Sequence, residues 1–412
     1  VPVRSRLAAV LASASAVAVL AASPADALDG AGLRRSLDRA VQRSNASYAG
    51  VLVRDLTTGR TLYARRADAA RVPASVEKLF LTAAVLRRSG PSARLTTRVL
   101  VTGPLRNGRL RGSLVLAGGG DPTLDGAALA RLARAVRARG VRRVQGSVVG
   151  DESRFDARRG GPRTGGAWDR DLGGVLGALT VDRGFSRAGA PPALGAARRL
   201  ARALRARGVR VRGRTRAGVA PAGARVIARV RSAPMAELVR RTNSASDNFL
   251  AETLLKDLGA RFAGRGSTAA GARIVRRDLA GLGLRPRIVD GSGLARANRA
   301  TPAQVVGLLG AMHASPLGPA FERSLAVAGR RGTLRRRMRG TLARNRCRGK
   351  TGTLNRVSNL AGLCRTRQGH VIAFAILLNG VDVARGQAAQ DRAAAAIAAV
   401  VSPVLRRRAP AP

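Results

Sequence analysis

Ser75 and Lys78 stand three residues apart at the head of an apolar run, residues 79–86, that reads as a helix closed by Gly90 and Pro91. At that spacing both side chains lie on one helix face, with Cβ atoms about 5–6 Å apart, so a hydroxyl and an amine can meet. A serine hydroxyl attacks an acyl group only when a neighbouring base takes its proton, and a neutral lysine can be that base. The ammonium, with an ordinary pKa of about 10.4, must then fall toward neutrality, which corresponds to about 4 kcal/mol in favour of the neutral amine. Apolar walls and a second cation nearby would supply it. Composition points to the same residues: of the 75 Lys and Arg side chains only Lys78, Lys256 and Lys350 are lysines. Arginine stays protonated, whereas lysine can be made a base by burial.

Two other short motifs carry chemistry. Ser246-Asp247-Asn248 lies in a loop before a helix over residues 249–258. In an extended loop Ser246 and Asn248 point the same way and Asp247 turns aside, so Ser246 could relay a proton and Asn248 could hold a substrate amide. The same three residue types are also the preferred helix caps. Lys350-Thr351-Gly352-Thr353 reads as a strand in which Gly352 lets a substrate backbone come close, with Lys350 and the hydroxyls suited to a carboxylate.

The elements that must hold these motifs come from both ends of the chain. A helix over residues 31–43 precedes a hairpin, residues 48–53 and 61–64, turning at Thr57-Thr58-Gly59. Near the other end, residues 350–354 and 360–364 alternate about Asn355-Arg356, residues 371–378 read as a buried strand, and an Ala-rich helix follows over 387–401. One antiparallel sheet flanked by helices, an α+β architecture, is therefore expected from residues 28–91 plus 226–404. Residues 92–225, with short strands and Gly-rich turns, read as a β-rich inserted domain. Residues 405–412 form a basic, Pro-containing tail.

Residues 1–27 have the pattern of an export signal: Arg4 and Arg6, an apolar run over 7–22, then Ala25-Asp26-Ala27 as a small-residue cleavage site. The expected location is outside the cytoplasm, in association with the cell wall. A formal net charge of +52 suits anionic surroundings such as wall polymers. Nucleic acid is not an expected partner, because aromatics make up 2% of the chain and no nucleic-acid-binding motif is found. No metal or cofactor is expected: His313 and His370 have no Cys or His at ligand spacing. Cys347 and Cys364 flank the third motif symmetrically, which leaves open both a cross-strand disulfide and two small buried residues.

In this order and context, the three motifs resemble those of the penicillin-recognising serine acyltransferases. More closely, the chain resembles the D-alanyl-D-alanine carboxypeptidase/endopeptidase family of the penicillin-binding protein 4 type, peptidase family S13. The likeness extends through Gly118-Gly119-Gly120-Asp121-Pro122-Thr123-Leu124, Ala251-Glu252 with Lys256, Asp290-Gly291-Ser292-Gly293-Leu294 and Gly332-Thr333-Leu334. It implies a β-lactamase/transpeptidase-like catalytic domain cleaving peptidoglycan stem peptides and acylated by β-lactam antibiotics. Ser75 would be the nucleophile, Lys78 its base, Ser246 the proton relay and Asn248 a partner of the substrate backbone. Lys350, Thr351 and Thr353 would hold the terminal carboxylate, and the N–H groups of Ser75 and Thr353 would form an oxyanion hole. The stretch between Ser75 and Ser246 is short for the two nested insertions usual in the family, so the inner one is expected to be reduced. A β-lactamase or esterase of the same fold, and an inactive wall-polymer-binding homologue, are the alternatives. Lys256 gains no chemical role, and a packing or helix-surface position is expected for it.

Overall fold

A computed structural model describes residues 28–184 and 191–401. The expected export signal and basic tail lie outside the described residues.

The first sheet has six antiparallel strands in the order Ala326–Val327, Cys347–Leu354, Val357–Arg365, Val371–Asn379, Tyr48–Asp55, Thr61–Arg65. The contact between Val371–Asn379 and Tyr48–Asp55, its fourth and fifth strands, joins the two ends of the chain. Side chains alternate across it, as the two-residue strand period requires. Val51, Val53, Ile372, Phe374 and Ile376 pack beneath helices Gly30–Ser44 and Val383–Ala399. Leu52, Ala361, Ala373 and Ala375 face the other way, toward Lys78–Ser89, Met235–Ser244, Asn248–Phe262 and Pro302–His313. Every residue of Val371–Asn379 is buried, in keeping with the unbroken apolar run over residues 371–378.

The region between is a second unit with its own core. A five-stranded sheet runs Thr215–Ala217, Val148–Asp151, Leu114–Ala117, Thr96–Val101, Arg225–Arg231, and helices Gly126–Ala138 and Pro192–Arg205 pack on it. Four further strands of two residues each form a small separate sheet. Strand Arg225–Arg231, taken from sequence as the start of the return to the first sheet, instead pairs with Thr96–Val101 as an edge of the second. The return therefore follows Arg231. The reason is visible in its residues: exposed Arg225, Arg229 and Arg231 suit a solvent-facing edge, whereas Val357–Arg365 and Val371–Asn379 of the first sheet are buried on both faces. The unit is also more than a β excursion, since parallel pairings with crossover helices build much of it.

Candidate active site

Ser75 sits in a single 3-10 turn, Ala74–Glu77, that runs into helix Lys78–Ser89, so the expected helix begins with a tighter turn at the serine. The segment before it is held on both sides by buried amides. Asn359 Nδ2 donates to the carbonyls of Val72 and Pro73, both at 2.9 Å, and Asn379 Oδ1 accepts from the Val72 N–H at 2.8 Å. Ala74 takes φ +46°, a conformation costly for a residue with a side chain, and it is fully buried. Two glycines permit the close packing around it. A Cβ on Gly352 would stand 2.6 Å from the Pro73 carbonyl oxygen, and one on Gly293 would stand 1.9 Å from that of Ala74.

Lys78 Nζ lies 2.8 Å from Ser75 Oγ, 2.7 Å from Asn248 Oδ1 and 2.5 Å from the Ser292 carbonyl oxygen. The last two can only accept. A neutral amine has two hydrogens and one lone pair, so giving the hydrogens to Asn248 and Ser292 leaves the lone pair toward Ser75. Burial brings the ammonium down to about 8, against the pull of the Asp290, Glu252, Asp247 and Glu77 carboxyls. The neutral amine is then a minor form at physiological pH, yet far more populated than in an ordinary lysine.

Lys350, on strand Cys347–Leu354, is likewise buried; its Nζ donates to Ser246 Oγ and to the Thr351 carbonyl, both at 2.7 Å. Burial and the charge of Lys78 push this ammonium well below its usual value. Thr351 Oγ1 donates to Thr333 Oγ1 at 2.9 Å, and Thr353 is exposed at the mouth. Ser246 has φ +59°, while Asp247 turns away to cap helix Asn248–Phe262 and to pair with Arg183. Asn248 Nδ2 donates to the Asp171 carbonyl at 2.7 Å. One Nδ2 hydrogen remains for a substrate carbonyl. A cleft of ≈ 520 Å³ opens alongside, lined by Pro162, Arg163, Leu294, Arg296, Leu354 and Asn355.

The structure thus gathers the Ser75, Ser246 and Lys350 motifs into one site. It adds groups that have no role in the three motifs: the Ser292 carbonyl on Lys78, the Asp171 carbonyl on Asn248, and Thr333 on Thr351. Ser292 and Thr333 lie in stretches that resemble the family, which was the available signal. Lys256 is elsewhere: it is buried and paired with Asp156 at 2.6 Å, so a helix-surface position does not describe it. Cys347 and Cys364 are directly opposite in register and joined as a disulfide, on the sheet face away from Lys78. Asp151 caps a turn, accepting from the N–H groups of Ser153 and Ala220.

A serine in contact with a buried lysine, between a helix and an antiparallel sheet, is the arrangement of the serine acyltransferases to which the penicillin-binding proteins belong. The chain is a member of the D-Ala-D-Ala carboxypeptidase 3 (S13) family, whose model matches residues 33–172 and 163–400. It is 32% identical to a D-alanyl-D-alanine carboxypeptidase of an Actinomadura species, over 92% of this chain and 88% of that one. It is also 32% identical to carboxypeptidase DacB of Mycolicibacterium smegmatis, over 89% and 84%. Penicillin binding protein 4 (dacB) from Haemophilus influenzae has the same fold, with a TM-score of 0.76 at 21% identity, over 87% of this chain and 97% of that one.

Proposed function

We propose that this enzyme removes the terminal D-alanine from peptidoglycan stem peptides through an acyl-enzyme on Ser75. The observation that carries the reading is the 2.8 Å contact between Ser75 Oγ and a buried lysine whose other two neighbours are acceptors. Ser75 attacks the carbonyl of the penultimate D-alanine as Lys78 takes its proton. The N–H groups of Ser75 and Thr353 face the developing oxyanion. The proton taken by Lys78 passes through Ser246, held by Lys350, to the departing D-alanine amine as the C–N bond breaks. Lys350, Thr351 and Thr353 hold the terminal carboxylate, and Asn248 meets the backbone of the donor peptide. Water then releases the acyl group. A β-lactam enters the same path and acylates Ser75.

Where the leaving amine belongs to a second stem peptide, the same steps cut a cross-link, so endopeptidase action accompanies the carboxypeptidase. The work site is outside the cytoplasm at the wall, where the charge of +52 favours retention by anionic polymers. No helix among the described residues is long and apolar enough to cross a membrane.

Labelled penicillin followed by peptide mapping is the direct test, with the adduct expected on Ser75 and D-alanine released from a synthetic pentapeptide. An adduct on another residue, or no adduct, overturns the reading. Rapid release of the opened β-lactam would make the protein a β-lactamase instead.

A further inference from the structure

Below Lys78 lies a buried group of carboxyls that the steps above do not use: Glu77, Glu252 and Asp290, each at most 1% exposed. Two of them grip one turn. Glu252 stands one helical turn after Asn248 on the same face of helix Asn248–Phe262. Its Oε1 accepts the N–H of Gly291 at 2.9 Å and that of Ser292 at 2.7 Å. Asp290 Oδ1 accepts the N–H of Gly293 at 2.8 Å and Asn298 Nδ2 at 2.7 Å, while its Oδ2 accepts the Ala295 N–H at 2.7 Å.

The geometry of the Ser292–Gly293 peptide unit gives these bonds their meaning. A trans peptide is planar, with its C=O and N–H on opposite edges. The C=O of this unit receives the Lys78 Nζ hydrogen, and its N–H is the one held by Asp290. The preceding unit is held by Glu252. The turn cannot slide forward either, because Gly293, at φ +79°, is pressed against the Ala74 carbonyl. Helix Asn248–Phe262 therefore reaches Lys78 twice, directly through Asn248 and indirectly through Glu252 and the Ser292 carbonyl.

We propose that Glu252, with Asp290, is a positioning residue that holds the Ser292 carbonyl on Lys78 Nζ and so aims the lysine lone pair at Ser75. The proposal rests on the assignment of Ser75 and Lys78 made above. Glu252 also acts through its charge. Burial, with the neighbouring Asp290 charge, raises its carboxyl to about 7, so it changes state near neutral pH. An ionised Glu252 favours the Lys78 ammonium, as do Asp290, Asp247 and Glu77 when ionised, while the charge of Lys350 opposes it. Burial drives Glu77 well above its usual range, and neither of its oxygens has a hydrogen-bond partner among the described residues, so it contributes mainly as a neutral acid.

Two substitutions separate the roles. E252Q keeps an acceptor for the two N–H groups but removes the charge. E252A removes both. The second-order rate constant for acylation by a penicillin, measured across pH beside each variant's melting temperature, is the readout. Acylation needs neutral Lys78, so its rate rises with pH through the lysine pKa. The limb should move to lower pH by about one unit in E252Q. In E252A the plateau should fall by about 100-fold, as expected when a reacting group loses its alignment. A purely structural role would lower the melting temperature while leaving the limb in place. An E252A plateau within a few-fold of native overturns the positioning role, and an E252Q limb that coincides with that of the native protein overturns the role of the charge, the arm that remains if E252A does not fold. Failure of the native protein to form an adduct at Ser75 would instead overturn the parent assignment.

Discussion

The floor of the active site and the inserted unit that borders it are fastened by different forces. Around Ser75 and Lys78 the fixings are buried amides and carboxyls bonded to main-chain groups: Asn359 and Asn379 on residues 72–73, Glu252 and Asp290 on residues 291–295. Segment 152–184 of the inserted unit is fastened to helix Asn248–Phe262 by the Asn248 bond to the Asp171 carbonyl, by packing of Leu172 and Leu176 on Phe249 and Leu250, and by ion pairs that each leave one partner partly open to solvent. Arg154 meets Asp257 at 2.8 Å, Lys256 meets Asp156 at 2.6 Å, and Arg183 meets Asp247. Buried hydrogen bonds to the backbone are short-range and little affected by salt, whereas partly exposed ion pairs weaken as ionic strength rises. Chemistry should therefore depend on the first set and peptide recognition on the second.

The largest expected effect breaks the floor itself. Lys78→Arg keeps a cation at the site but removes the neutral state, because a guanidinium does not deprotonate in a protein. Acylation of Ser75 by penicillin should fall by about 10³-fold or more, close to the loss in Lys78→Met, since general-base assistance and alignment are both lost. An arginine variant that acylates at the native rate would remove the base from Lys78. The inserted unit offers a smaller break. Lys256→Met leaves Asp156 without its partner, but that carboxylate is 32% exposed and can turn to water. The cost should stay below the about 3–5 kcal/mol of a pair broken wholly in the interior. KM for a pentapeptide should rise by up to about tenfold, the equivalent of 1.4 kcal/mol, with penicillin acylation much less affected. Raising the salt should move native KM in the same direction. Equal losses on both substrates would show that segment 152–184 supports the floor as well.

This division also explains what could be read from the sequence. Ser75 with Lys78 was legible because the helix period places such neighbours on one face, and Lys350-Thr351-Gly352-Thr353 was legible as one short motif on a single strand. The first sheet was legible because residues 49–53 and 371–378 are apolar runs of strand length and each end supplies its own helix. Arg225–Arg231 was misplaced because local alternation shows a strand without showing its partner. Lys256 was underrated for the same reason, its counterion standing 100 residues away. The Ser292 carbonyl was signalled only by the family-like stretch around it, since a main-chain oxygen has no residue type. Glu252 and Asp290, which aim it, look in sequence like a helix carboxylate and a turn former.

The disulfide sharpens the comparison from the other face of the sheet. Cys347 and Cys364 close a loop with a sequence separation of 17, for which chain entropy gives a stabilisation of about 3 kcal/mol. Their sulfurs lie in the core beneath helix Val383–Ala399, where Cys347 Sγ is 3.8 Å from the Ala394 carbonyl. Lys350 is an odd number of residues along the strand and points to the opposite face. The strand keeps its register without the bond, because its hydrogen bonds to Val357–Arg365 run along its whole length. Cys347→Ala with Cys364→Ala should therefore lower the melting temperature while leaving the penicillin acylation rate at 25 °C within about twofold of native, a change of only about 0.4 kcal/mol. A large loss of acylation in a folded double variant would mean that the bond sets the placement of Lys350, and the separation of stability from chemistry across this sheet would then be wrong.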